Sequence, residues 1–366
     1  MKVELIDLRA RYREEKKDIL KLINKVLSKG NLILTEEVKN FERSICSYTG
    51  AKYCLGLNSG TDALMMSLWS CDIKKGDEVI TSPLSFVATA NSIIHVGAKP
   101  VFVDVGDDLN MDPNLIEKAI TKKTKAIMPV HWTGRVCKMD KILSIAKKYN
   151  LTLIEDAAQA TGAYYRNQHA GTFGKISAFS THPLKNLNAL GDGGFVITND
   201  KKLHDKIKLY RSHGLEGRDN AKIIGVNSRL DSLHAEILTY RLKKLKNIIY
   251  RRKKNINLYN KYLKAESVKL IKDGVNEKNA YVMFIALSDK RNKLQKYLSR
   301  FNIQSLLYYP TALHLHNSMK FLGYKKGDLP NAETIANQVI SFPHHQHLTK
   351  KQIKFVCSKI NKFFEK

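Results

Sequence analysis

The sequence is short of the features that would place it in a specialised class. Its five cysteines, Cys46, Cys54, Cys71, Cys137 and Cys357, are scattered and odd in number, with no CxxC pair. That favours reduced thiols in a cytosol over a disulfide framework. No apolar stretch approaches ~20 residues, so no membrane-spanning helix is expected. The first residues, Met1-Lys2-Val3-Glu4-Leu5-Ile6-Asp7, include acids and no sustained apolar run, which argues against a secretory signal. Internal repeats and low-complexity segments are missing. His314, His316, His344, His345 and His347 have neither the spacing nor the cysteine or acid companions of a zinc site, and no metal is expected. Acids are scarce: 34 Asp+Glu stand against 62 Lys+Arg, a formal net charge of +28. The basic residues run through the whole chain instead of forming a tail or one face. They read as solvated helix faces with a general attraction for anions, and no nucleic-acid partner is expected.

What is present is a soluble chain of 366 residues, long for one simple domain, with 43% hydrophobic residues. Apolar positions at Ile19, Leu20, Ile23, Val26 and Leu27 fit an amphipathic helix over residues 15–27, stopped by Gly30-Asn31. From about residue 53 to 200, short apolar runs alternate with helical patterns. Strands are expected at Tyr53–Leu57, Glu78–Thr81, Pro100–Asp104, Ala126–Pro129, Leu151–Glu155, Ser177–Ser180 and Phe195–Thr198. Helices fall between them at Ala63–Ser70, Pro113–Ile120 and Lys138–Tyr149. Near-continuous apolar strands alternating with helices indicate a mainly parallel α/β sheet. A long helical pattern over Ser232–Leu263 then bridges to a smaller lobe. There Ala280–Leu287, a helix near Lys290–Phe301 and a closing helix Lys350–Phe364 suggest an α+β unit. The expected division is a large domain over 1–240 and a small one over 241–366.

The chemistry concentrates at the ends of the expected strands. The apolar run Leu151-Thr152-Leu153-Ile154 delivers Asp156 and, one helical turn later, Gln159. Further on, Ser180 ends a strand and Lys185 follows in a polar loop, ahead of Gly191-Asp192-Gly193-Gly194. A carboxylate at a strand end and a lysine in a nearby loop are what a pyridoxal phosphate enzyme needs. The lysine forms a Schiff base with the cofactor aldehyde, and the acid keeps the pyridine nitrogen protonated so that the ring accepts electrons. Open α/β sheets bind ligands at these strand ends. Asn58-Ser59-Gly60-Thr61-Asp62-Ala63 opens a helix with small residues, as an anion site requires, although Ser-Gly-Thr is also an ordinary helix start. Phe86 follows the second strand and suits either the core or a cofactor ring. Asn227, taken alone, reads as a cap for the following helix.

With these motifs in view, the chain resembles the fold type I, pyridoxal phosphate-dependent nucleotide-sugar aminotransferases, the DegT/DnrJ/StrS family. The likeness covers nearly the whole chain. It rests on Ser59-Gly60-Thr61-Asp62-Ala63-Leu64, Glu155-Asp156-Ala157-Ala158-Gln159, Ser180 with His182-Pro183-Leu184-Lys185, Arg211-Ser212-His213-Gly214, Gly225-Val226-Asn227-Ser228-Arg229-Leu230, Tyr309-Pro310 and Leu313-His314. The resemblance implies a cofactor bond to Lys185, a ring nitrogen on Asp156, a ring oxygen on Gln159 and Phe86 over one ring face. Gly60, Thr61 and Ser180 would hold the phosphate. Asn227 would reach the phosphate of a neighbouring subunit, making a homodimer with shared sites. Tyr309, His314 and His182 would lie near the sugar nucleotide.

The activity so implied is amino transfer, from L-glutamate through pyridoxamine phosphate, to a nucleotide-linked keto-deoxy sugar, in polysaccharide or glycoconjugate biosynthesis. A related dehydratase branch has histidine in place of the lysine, and Lys185 argues against it. The stretch Asn186–Gly194 resembles members acting on 3-keto sugars more than the 4-keto enzymes. Thr181 and Ala312 depart from residues common in the family, which touches substrate fit more than cofactor chemistry. A basic, cofactor-binding regulator is the remaining alternative, without a helix-turn-helix or basic tail to support it.

Overall fold

A computed structural model describes residues 1–365. Nine strands fall in the first lobe: β1 (Tyr53–Leu57), β2 (Glu78–Thr81), β3 (Lys99–Phe102), β4 (Thr124–Met128), β5 (Thr152–Asp156), β6 (Tyr164–Tyr165), β7 (Gln168–His169), β8 (Ile176–Ser180) and β9 (Gly194–Thr198). Seven of them form one sheet in the order β1-β9-β8-β5-β4-β2-β3. Only β9 runs against its neighbours. The seven runs expected as strands are all strands, each within two residues of its expected ends. They are apolar along their length because helices cover both faces. One face packs Phe41, Ile45, Phe179 and Leu238. The other packs Leu64, Met66, Ile93 and Ile207.

The second lobe contains β10 (Lys269–Leu270), β11 (Glu277–Lys278), β12 (Ile285–Leu287) and β13 (Val339–Ser341). Its sheet has the order β10-β12-β13, with helices Arg291–Ser299 and Lys350–Phe364 packed nearby. β11 instead pairs with β6 of the large lobe. The closing helix has the expected bounds and a complete capping box, Thr349 with Gln352.

Four expectations are corrected. The first helix begins at Leu8, not near residue 15, because Asp7 caps it by accepting the Ala10 amide at 2.7 Å. The bridging helix is two helices, Ser232–Leu242 and Leu245–Tyr262, broken at Lys243-Lys244. Of Ala280–Leu287 only the last three residues are strand. The Ala280 and Val282 amides donate instead to Gly134 and Thr133 of the large lobe, at 2.9 and 3.1 Å. Finally, Val3 bridges to Ile303 and is buried with Phe284 and Leu294, so the first residues pack with the small lobe rather than the large one. Among the described residues, no helix is long and apolar enough to cross a membrane.

Candidate active site

Strand direction brings the site together. β1, β2, β4, β5 and β8 are parallel, so the segments after them emerge at one edge of the sheet. β9 is antiparallel, so its start, Gly194, reaches that same edge. A cavity of about 430 Å³ opens there. Its lining includes Gly60, Thr61, Phe86, Asp156, Gln159, Ser180, His182, Lys185 and Tyr309. Nine of the eleven residues expected at the site therefore share one cavity.

Asp156 is the last residue of β5 and 4% exposed. Its Oδ2 accepts a hydrogen bond from Thr89 Oγ1 at 2.7 Å, and its Oδ1 accepts the Ala158 amide at 3.2 Å. Burial pushes this carboxyl above the usual range. Thr89, the Ala158 amide and the charge of Lys185 oppose that rise. Burial also drives the Lys185 amine down to about 8, against the pull of the Asp156 charge. An amine near neutrality can act both as nucleophile and as proton carrier.

One end of the cavity is formed by a helix start and its backbone. Ser59 caps the helix Gly60–Ser70 by accepting the Asp62 amide at 3.0 Å, leaving the Gly60 and Thr61 amides of the first turn for an anion. The fit is close. A Cβ on Gly60 would stand 2.7 Å from Ser180 Cβ, and one on Gly194 would stand 2.4 Å from the Ser59 carbonyl oxygen. Only glycines allow the helix start, Ser180 and the start of β9 to meet in this way. Gln159 accepts the Thr133 amide through Oε1 at 2.8 Å. That turns its NH2 toward the cavity, where it donates to the Tyr309 hydroxyl at 3.4 Å. Tyr309 holds φ +54°, a left-handed backbone uncommon for a tyrosine. Phe86 is 55% exposed at the cavity mouth, 6.1 Å ring to ring from Tyr309, so the core reading of this residue does not hold.

Two expected residues lie outside. His314 is buried outside the cavity lining, where Nε2 pairs with Glu333 Oε1 at 3.1 Å. Asn227 is exposed, on a loop whose next residue, Ser228, donates to Asp62 at 2.7 Å.

Several contributors escaped the sequence reading. Thr89 was given no role; its place one turn after Phe86, at a helix start, is the signal that could have found it. Arg11, Glu15 and Arg241 had no such signal. All three are buried. Arg11 donates to the Asn186 carbonyl at 3.3 Å, and Arg241 to those of Asn188 and Ala189 at 2.7 and 3.1 Å. They therefore grip the loop that carries Lys185.

Comparison with known proteins agrees with this geometry. The profile of the DegT/DnrJ/EryC1/StrS aminotransferase family matches residues 13–361. The chain belongs to that family. It is 36% identical to the UDP-2-acetamido-2-deoxy-3-oxo-D-glucuronate aminotransferase of Pseudomonas aeruginosa, over 97% of this chain and 99% of that one. It is 38% identical to a "pleiotropic regulatory protein" of Geobacillus stearothermophilus, over 100% and 99% of the two chains. The crystal structure of S. venezuelae DesV in complex with a ketimine intermediate superimposes with a TM-score of 0.97 at 33% identity, covering 100% and 99%. The fold is that of the fold type I aminotransferases. Pyridoxal phosphate is the family's cofactor, and the cavity fits it: a buried carboxylate with spare acceptor capacity, a lysine of lowered basicity and a glycine-lined helix start. Among the described residues, no group of three or more His, Cys, Asp or Glu could hold a metal.

Proposed function

We propose that this protein is a pyridoxal phosphate-dependent aminotransferase that places an amino group on a ketone of a nucleotide-linked deoxy sugar, with L-glutamate as donor. The observation that carries this reading is the meeting of Lys185 and Asp156 in one cavity beside the Gly60–Thr61 helix start. When bound, the cofactor supplies an aldehyde for covalent attachment and a ring that withdraws electrons from the substrate carbon. The protein does the rest. Asp156 holds the ring nitrogen protonated. Gln159 donates its NH2 to the ring oxygen. Gly60, Thr61 and Ser180 bind the phosphate. Lys185 Nζ anchors the cofactor and, once its amine is free, removes a proton from one carbon and returns it to another. Phe86, the small-lobe residues Tyr308 and Tyr309, and His182 border the mouth through which a bulky sugar nucleotide enters.

Amination at C3 is favoured by the Asn186–Gly194 stretch and by the 3-oxo sugar in the name of the P. aeruginosa relative. Place in polysaccharide or glycoconjugate synthesis follows from that product class. Asn227 is exposed and does not line its own cavity, which supports a homodimer in which it serves the partner's phosphate. His314, paired with Glu333 and absent from the cavity lining, is not given a role at the sugar.

The first half of the reaction tests the reading without the sugar. Holoenzyme mixed with L-glutamate alone should release about one 2-oxoglutarate per site and shift the cofactor's visible absorption to the ultraviolet. Release of no oxo acid from a panel of amino acids would refute amino transfer.

A further inference from the structure

Thr89 lies in the first turn of the helix Ala88–His95 and is 1% exposed. Its hydroxyl donates to Asp156 Oδ2 at 2.7 Å and lies 2.6 Å from Ser85 Oγ. A hydroxyl has one proton to give. Because Thr89 gives its proton to the carboxylate, Ser85 must be the donor in the second contact. The protons then point one way, from Ser85 through Thr89 to Asp156. Among the described residues, Thr89 is the one side chain that hydrogen-bonds this carboxylate. The other oxygen, Oδ1, accepts only the 3.2 Å bond from the Ala158 amide and keeps spare acceptor capacity.

We propose that Thr89 is a positioning residue for the reaction: with Ser85 behind it, it keeps Asp156 ionised and occupies Oδ2, leaving Oδ1 as the oxygen offered to the cofactor's ring nitrogen. The proposal rests on the pyridoxal phosphate reading of the site. A carboxylate this deeply buried needs such a donor, since burial alone favours its neutral form. Lys185 faces it from the loop after β8, His131 from the segment after β4 and Tyr309 from the small lobe. Of the influences that keep Asp156 ionised, the Thr89 bond is the largest.

Thr89→Val removes the hydroxyl and keeps the shape; Thr89→Ser keeps the hydroxyl. In cofactor-free protein, the carboxyl-carbon NMR signal of Asp156, assigned by its loss in Asp156→Asn, should titrate at higher pH in Thr89→Val and at the wild-type pH in Thr89→Ser. Pyridoxal phosphate affinity at pH 6 should fall roughly tenfold or more in the valine variant and recover toward pH 8, while the serine variant binds like wild type. A valine variant that titrates with wild type would overturn the proposal. So would a serine variant shifted as far as the valine one, because shape and not the hydroxyl would then be at work. If Thr89→Val does not fold, Ser85→Ala replaces it, with a smaller upward shift expected and no shift overturning the idea. The titration uses no cofactor, so failure of wild type to bind pyridoxal phosphate would count against the cofactor reading and not against the hold of Thr89 on Asp156.

Discussion

Arg241 donates both Nε and Nη2 to one carboxylate oxygen of Glu15, at 2.9 and 2.8 Å, joining the N-terminal helix to the first bridging helix. Arg11 takes the other oxygen of Glu15 at 3.3 Å. The two guanidiniums also donate to carbonyls just after Lys185. Breaking a buried ion pair leaves a charge without a partner, which costs about 3–5 kcal/mol. Arg241→Met and Glu15→Gln should each lower the unfolding free energy by that order, measured by denaturant titration. Arg241→Met should also slow turnover, because the lysine loop loses two of its anchors. A fully active, fully stable Arg241→Met enzyme would remove the clamp from the account.

The lysine itself should betray its environment. Burial lowers the Lys185 amine to about 8, whereas an ordinary lysine titrates near 10.4. In cofactor-free protein, acylation of Lys185 by a limiting reagent should therefore rise through about pH 8, followed by peptide mass spectrometry. The Asp156 charge acts in the opposite direction, holding the ammonium on. Asp156→Asn should move the Lys185 midpoint to lower pH. In the holoenzyme, borohydride should fix the cofactor on the peptide containing Lys185.

Asp156→Asn also removes the charge that stabilises a protonated ring nitrogen. Turnover should fall by roughly a thousandfold, about 4 kcal/mol of barrier, with the cofactor still bound. Near-normal turnover in a cofactor-loaded variant would contradict the role given to this carboxylate.

Sharing between subunits can be tested by mixing. If Asn227 serves the partner's site, a heterodimer of Lys185→Ala and Asn227→Ala chains has one site with both lesions and one with neither. Activity should return to about half the wild-type level per mixed dimer. If Asn227 works within its own subunit, every site keeps a lesion and nothing is gained. The comparison is made at limiting cofactor, where loss of one phosphate hydrogen bond, about 1.5–3 kcal/mol, is visible.

The sheet was legible because its strands are buried on both faces and so read as apolar runs. Lys185, Asp156 and Gln159 were legible because strand ends are where such sheets bind ligands. Other parts were not. Lys243 and Lys244 are good helix formers, and nothing local marks the break between the helices that meet there; packing against two different lobes decides it. Arg11 and Glu15 look like the polar face of an amphipathic helix. Their burial appears only once Arg241, remote in sequence, is placed beside them. His314 follows Tyr309 by five residues, yet Tyr309 lines the cavity while His314 is paired with Glu333 outside it. Phe86 could have been core, and only the edge position of its loop exposes it.

The central claim is amino transfer to a nucleotide-linked sugar. Holoenzyme incubated with ¹⁵N-labelled L-glutamate and a panel of nucleotide 3-keto and 4-keto deoxy sugars, with products read by mass spectrometry, tests it most directly. The account predicts one ¹⁵N amino group on a nucleotide sugar, with a 3-keto acceptor preferred, and none from Lys185→Ala. A product that has lost water and gained no nitrogen, or no product from any sugar while glutamate is still converted, would contradict it.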